Sequence, residues 1–269
     1  MIKNNYHTHT RRCGHAIGLD EHYVQAAISA GMKKLGFSDH APYDVPEPGI
    51  RMDYEDLEDY ISSVNDLKER YKDEIEIYLG LETECYIAKW DLLKEYRERM
   101  DYMILGQHSL VFGKEDVYTL TNPAELREYV KRVEYAFSHS LCDCLAHPDL
   151  PMFSYPRIDR SVMKMAEDIA VLSVKYDIPL EINCGSGAKI GIRSYEDGYR
   201  LPYPVREVFE VFAEKKCRIM IGIDAHDPRD FLTDTYLNTA LDALKGLDLK
   251  IEEDPDIIGE AKKRKEKFF

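Results

Sequence analysis

Apolar and polar positions along this chain switch repeatedly between a strand-like and a helical rhythm. Short runs rich in β-branched and aromatic residues read as strands: the segment before His7, then 34–38, 75–81, 102–105, 143–146, 178–182 and 218–223, seven in all. Between them, apolar residues recur at three- and four-residue spacing. The clearest helix begins at Asp20, whose side chain can cap it, carries Val24, Ala27 and Ile28 on one face, and stops at Gly31. A second runs from Asp53 through Tyr60, Val64 and Leu67 to about Tyr71, and further helices are predicted over 89–99, 123–140, 159–176, 204–216 and 234–246. Pro123 suits the first turn of its helix, where a missing N–H costs nothing.

Strand and helix alternating along the whole chain predict a mostly parallel sheet, either open or closed into a barrel. The polar residues that follow the runs favour closure. His7 and His9, Asp39-His40, Glu82, His108, His147, Asn183, and Asp224 with His226 all fall where a run ends or just after it. In a barrel those ends form one rim on which side chains converge. An open doubly wound sheet would bring only the strands near its switch point to a single site. Residues 41–52, with three prolines, and 184–203, with four glycines plus Lys189, Arg193 and Arg200, are longer than ordinary connections and are expected to shape a pocket on that rim.

Composition narrows the class. With 269 residues and no linker, repeat or low-complexity segment, residues 1–269 are expected to form a single domain. A net charge of -14 is the wrong sign for holding a phosphodiester backbone, so nucleic acid is not expected as a partner. The one basic run, Lys262-Lys263-Arg264-Lys265, reads as a solvated tail. Neither a signal peptide nor a segment able to span a bilayer is visible, which predicts a cytoplasmic protein with no membrane partner. Six cysteines lack paired spacing and lie mostly in apolar runs, as buried free thiols do. No feature of the sequence reads out an oligomeric state.

The rim donors carry the chemistry. His7, His9, His15, His40, Glu82, His108, His147, Asp224 and His226 are too many for one ion at about four ligands each and suit a cluster of two or three. His7-Thr8-His9 alternates along a strand, so both rings face one way and can grip one ion, and Asp224-Ala225-His226 repeats that arrangement near the other end of the chain. His22 and His139 fall inside predicted helices and read as ordinary histidines.

Several flanking motifs sharpen this picture. They are His7-Thr8-His9-Thr10, Cys13-Gly14-His15-Ala16, Gly36-Phe37-Ser38-Asp39-His40-Ala41-Pro42, Gly80-Leu81-Glu82, Gly106-Gln107-His108, Ala146-His147-Pro148-Asp149, Glu181-Ile182-Asn183 and Ile223-Asp224-Ala225-His226. On these residues the chain resembles the polymerase and histidinol phosphatase (PHP) superfamily, in its histidinol-phosphatase branch. The resemblance implies an α/β fold, a distorted seven-stranded (β/α)7 barrel, with three divalent metal ions (Zn, Mn or Fe) on its rim. It assigns His7, His9, Glu82 and Asp224 to the first ion and Glu82, as a bridge, with His108 and His147 to the second. His15, His40 and His226 fall to the third, with Asp224 in reach. Cys13, between His9 and His15, is expected to pack beneath the site.

A bridging carboxylate sets two ions about 3.5 to 4 Å apart, and a hydroxide they share is a nucleophile at neutral pH. The reaction expected is hydrolysis of a phosphomonoester, L-histidinol phosphate, by in-line attack without a phosphoenzyme. Asp224 and His226 are the candidates for delivering a proton to the leaving group. Arg160 and Arg193 are the candidate phosphate clamps, because a guanidinium fork matches phosphate oxygens. Asp44, Glu47, Glu115 and Tyr155 lie on loops suited to the substrate's ammonium and imidazole. Alternatives are a related phosphoesterase acting on nucleotides or phosphotyrosine, an amidohydrolase-like barrel, and a barrel that binds metal only for structure.

Overall fold

The computed structural model describes residues 2–114 and 116–268. Its order is β1 (Asn4–Asn5), α1 (Asp20–Ser29), β2 (Lys34–His40), α2 (Leu57–Arg70), β3 (Glu76–Thr83), α3 (Trp90–Arg99), β4 (Tyr102–Leu105), α4 (Pro123–Ser138), β5 (Cys144–Leu145) and α5 (Arg160–Tyr176). There follow β6 (Leu180–Asn183), α6 (Ser186–Ile190), β7 (Arg193–Tyr195), β8 (Gly198–Arg200), α7 (Arg206–Glu214), β9 (Arg218–Gly222), α8 (Thr235–Ala243), β10 (Lys250–Ile251) and α9 (Ile257–Phe268). All seven expected strands form. They make a parallel sheet in the order β1-β2-β3-β4-β5-β6-β9, to which β10 adds an eighth strand beyond the seven expected.

The sheet curls until its ends meet at the rim alone. Thr8 bridges Ala225, with His9 N–H donating to the Ala225 carbonyl at 2.9 Å and Ala225 N–H to that of His7 at 3.2 Å. Lower down, Asn5 and Asn4 span the gap with side-chain amides: Asn5 accepts the Ile223 N–H at 2.8 Å and Asn4 donates to the Glu253 carbonyl at 3.0 Å. Side chains fill the space between. Tyr6, Tyr102, Ile104, Cys144, Ala146 and Met220 make an inner cluster. The Tyr102 hydroxyl donates to the carbonyls of Tyr6 and Phe37 at 2.8 and 3.0 Å. Its ring lies so close to Gly36 and Gly80 that a Cβ at either would collide with it. A larger apolar layer, including Phe37, Leu79, Leu105, Phe137 and Phe209, packs the helices on the outside.

Two readings at the helix ends are corrected. Helix α1 does begin at Asp20, yet the Asp20 carboxylate caps nothing: it takes the Arg12 guanidinium at 2.8 Å and the Ser63 hydroxyl at 2.5 Å. The basic tail is solvated only in part: Lys262 and Lys263 are exposed, but Arg264 and Lys265 are not. Its residues form α9, which inserts Ile257 and Ala261 into the inner cluster at the N-terminal ends of the strands. Arg264, 9% exposed, pairs with Asp143 at 3.3 Å and Glu260 at 3.1 Å, and Lys265 donates to the carbonyl of Met100. Asp143 also receives a bidentate grip from the fully buried Arg97, with one of the two bonds at 2.7 Å. The 184–203 segment is ordered as well, as the short α6 and the β7-β8 hairpin.

All six cysteines are free and buried. No helix among the described residues is long and apolar enough to cross a membrane.

Candidate metal centre

Strand register delivers the donors to one place. In the β2-β3 ladder His40 stands directly opposite Glu82, and the Thr8-Ala225 bridge sets His7 and His9 beside Asp224 and His226. The seven rim histidines form a continuous cluster: ring centroids are 4.0 Å apart for His9 and His226, 4.3 Å for His9 and His40, 4.8 Å for His15 and His226, and 4.8 Å for His108 and His147. His147 and Asp224 follow the ends of β5 and β9 with φ of 30° and 52°. Such left-handed backbone is strained for a histidine and persists only where the surroundings enforce it.

Glu82 sits at the centre. Its Oε2 is 3.4 Å from His7 Nε2, 3.4 Å from His9 Nε2 and 3.1 Å from His40 Nδ1, while Oε1 is 2.9 Å from His147 Nε2 and 3.6 Å from His108 Nε2. One buried carboxylate thus faces five imidazoles. Asp224 Oδ1 lies 3.1 Å from His9 Nε2, 3.5 Å from His7 Nε2 and 3.3 Å from His226 Nδ1. Donor atoms within 4.8 Å of one another group as His7-His9-Asp224, His7-Glu82-His147, His9-His40-Glu82 and His15-His40-His226, with Cys13 also beside His9 and His226.

These residues fit metal ions on a feature of their own. His7 Nε2, His9 Nε2, Glu82 Oε2, Asp224 Oδ1 and His226 Nε2 are buried without a hydrogen-bond partner, and atoms left so are costly unless something else satisfies them. The charge states of the two carboxylates and of His40 and His15 also suit ligation. Burial would raise the Glu82 carboxyl, but His7, His108 and His40 hold it well below the usual carboxylate range. Asp224 is likewise held low against burial, by His7, His226 and His9. Burial and the neighbouring His9 push His40 well below the usual imidazole range, and burial with His226 lowers His15. His7 goes the other way: against burial, Glu181, Asp224 and Glu82 raise it.

An outer set of carboxylates aims the imidazoles. Glu181 Oε1 is 2.8 Å from His7 Nδ1, and its Oε2 accepts the His147 N–H at 3.0 Å. Glu84 Oε1 is 2.9 Å from His108 Nδ1, and its Oε2 accepts the N–H groups of His108 and Ser109. Asp39 accepts from the Thr10 hydroxyl and lies 3.5 Å from His9 Nδ1. Sequence reasoning passed over Glu84 and gave Asp39 and Glu181 no task. The signal was present for Glu84, which lies two residues beyond Glu82 on the same extended segment. Since such partners orient ligands and raise their basicity, Glu181→Gln is expected to weaken metal affinity roughly 10- to 100-fold. Competition with a chromophoric chelator measures it, and an unchanged affinity would remove Glu181 from this role.

The cleft above the donors encloses about 560 Å³ and is walled by Gly49, Tyr118, Phe153, Ser186, Lys189 and Ile190. The 41–52 loop contributes the Gly49 carbonyl, 3.1 Å from His15 Nδ1, and Arg51, which reaches toward Glu84 at 3.7 Å. All nine predicted donors come together here, but the two predicted arginines do not join them. Arg160 opens α5, where Asp159 caps the helix, and it faces a groove against α4 with Leu126 and Lys164. Arg193 is exposed with its guanidinium over the Phe153 ring at 5.0 Å, outside the cleft lining. Asp44 pairs with Lys89, Glu47 with Arg51, and Tyr155 is buried against Asp159; Glu115 lies outside the described residues. His22 and His139 serve their own helices: His22 Nδ1 accepts the Leu19 N–H, and the His139 ring stacks on Tyr135.

A curled parallel sheet with seven histidines and two carboxylates converging on its C-terminal rim defines an α/β barrel with a candidate metal centre. The chain belongs to the PHP domain family, whose model matches residues 5–185. Among curated proteins it is 28% identical to the probable histidinol-phosphatase of Deinococcus radiodurans over 244 residues, 82% of this chain and 85% of that one. With the probable histidinol-phosphatase of Schizosaccharomyces pombe it shares 26% over 251 residues, 82% and 80% of the two chains. The solved histidinol phosphate phosphatase of Lactococcus lactis, complexed with zinc, L-histidinol and phosphate, has the same fold. Its TM-score is 0.68 at 18% identity, over 93% of this chain and 95% of that one.

Proposed function

We propose that the protein is a metal-dependent phosphomonoesterase that converts L-histidinol phosphate and water to L-histidinol and inorganic phosphate, with residues 1–269 acting as one domain. The observation that carries this reading is Glu82, a buried carboxylate ringed by five imidazoles at the floor of an open cleft. The naming of its family relatives as histidinol-phosphatases supports the substrate.

His7, His9, Glu82 and Asp224 would hold one ion, Glu82 with His108 and His147 a second, and His15, His40 and His226, with Asp224 nearby, a third. His-rich donors of this kind suit Zn, Mn and Fe. Divalent ions so placed supply a nucleophilic water at neutral pH and neutralise the oxygens of a phosphoryl group. The remaining work falls to side chains. Glu82 stays ionised because its neighbours favour the charged form. His226 lines the cleft beside Asp224, which is held ionised, so either group would pass a proton to the leaving alkoxide only after taking one up from water. Tyr118 and Phe153, 5.1 Å apart edge to face, offer an aromatic wall against which an imidazole can lie.

Turnover of a panel comprising histidinol phosphate, nucleoside monophosphates, phosphotyrosine, a phosphodiester and an amide, after metal loading, tests the reading. Histidinol phosphate is expected to give the highest kcat/KM. A nucleotide, phosphotyrosine, diester or amide turned over faster would replace it.

A further inference from the structure

The cleft contains a cation that neither the motifs nor the mechanism above employs. Lys189 sits on α6 and lines the cleft together with His15 and His40, and among the described residues it is the only lysine or arginine in the cleft wall. Its Nζ lies 2.7 Å from Asp230 Oδ2, with 27% of the lysine side chain accessible and 9% of the aspartate. The Tyr236 ring lies 5.6 Å from the same ammonium.

We infer that Lys189 clamps the phosphoryl group of the substrate and that Asp230 holds its ammonium in place until that anion arrives. The inference rests on the phosphomonoesterase reading. Asp230 is built for the exchange. Its Oδ2 also accepts the N–H groups of His226 and Asp227, both at 3.1 Å. Those two amides keep the carboxylate hydrogen-bonded when the lysine swings away, which lowers the cost of parting it from its counter-ion. With 27% of its side chain accessible, the lysine can be taken up by water as the pair opens, and its four-carbon stem gives the ammonium its reach. The amide of His226 also ties this pair to the rim, so the cation rests beside the donors rather than out on the loop. The clamp that sequence reasoning assigned to an arginine therefore falls to a lysine, acting as a point charge rather than a fork.

The experiment titrates inorganic phosphate calorimetrically into zinc-loaded wild type, Lys189→Met and Lys189→Arg, and records zinc content, thermal midpoint and the kcat and KM for 4-nitrophenyl phosphate. Lys189→Met is expected to weaken phosphate binding about tenfold or more, the loss of one charge-assisted hydrogen bond. KM should rise more than kcat falls, zinc content and thermal midpoint should stay at wild-type values, and Lys189→Arg should remain within about threefold of wild type. Phosphate affinity unchanged in Lys189→Met overturns the clamp. So does a joint loss of phosphate, zinc and thermal stability, which would make the lysine a structural brace. Lysine-dependent phosphate binding in a protein that cleaves no monoester supports the clamp while sinking the phosphatase reading, so the two failures are separable.

Discussion

Glu82→Ala is expected to leave the protein with little bound metal and to lower phosphomonoester turnover by about a thousandfold or more, the scale of several kcal/mol of lost transition-state stabilisation. The carboxylate stands within 3.6 Å of five histidine nitrogens. Gly106 shows how tightly that position is kept, because a Cβ there would occupy the space of Glu82 Oε1. Alanine also removes the charge that compensates the buried imidazoles, so the folded fraction needs to be followed by circular dichroism. Glu82→Gln retains the shape and removes only the charge; it should fold, and it should still lose metal. Elemental analysis beside turnover decides the matter. A Glu82→Gln protein with full metal content and full activity would end the bridging model.

The second large effect lies at the opposite end of the barrel. Arg97→Ala is expected to cost roughly 3 to 5 kcal/mol of folding stability, the usual consequence of leaving one member of a buried ion pair alone. Arg97 and Asp143 are both 0% exposed, and Arg264, at 3.3 Å, would be left as the aspartate's ion-pair partner. The double variant Arg97→Met/Asp143→Leu should recover much of the loss, since it strands no charge. Urea denaturation of the single and double variants measures both. A single-variant loss below about 1 kcal/mol would mean that water reaches this pair. Activity per folded molecule should hardly change, because the pair sits beneath the N-terminal ends of the strands and the donors at the C-terminal ends.

Most of the candidate donors were legible in the sequence for a local reason. A strand alternates its side chains and ends at a definable residue, so an apolar run ending in His7-Thr8-His9 or Leu81-Glu82 announces a donor and its direction. The outer partners were harder. Glu181 comes into contact with His7 across 174 positions of chain, and its space depends on Gly222, where a Cβ would collide with it. No local pattern encodes that pairing. The tail failed for the same reason: Lys262-Lys263-Arg264-Lys265 is strongly polar by composition, yet Arg264 reaches Asp143 and the Asp177 carbonyl, 121 and 87 positions away. Arg160 shows the converse error. Its place after a proline-containing loop hinted at the rim, but the Asp159 cap starts α5 there and turns the arginine toward α4.

By itself the sequence determined the alternation of strands and helices, favoured closure of the sheet, and marked the candidate donors at the ends of the runs, because each follows from periodicity and from residue type there; His15 was marked only by the motif around it. Tertiary structure alone decided that Glu82 stands among five histidines, that Lys189 rather than Arg160 or Arg193 faces the cleft, and that the C-terminal helix plugs the barrel. Those outcomes depend on distances between residues far apart in the chain, set by strand register and packing against the core, and no local pattern in the sequence records them.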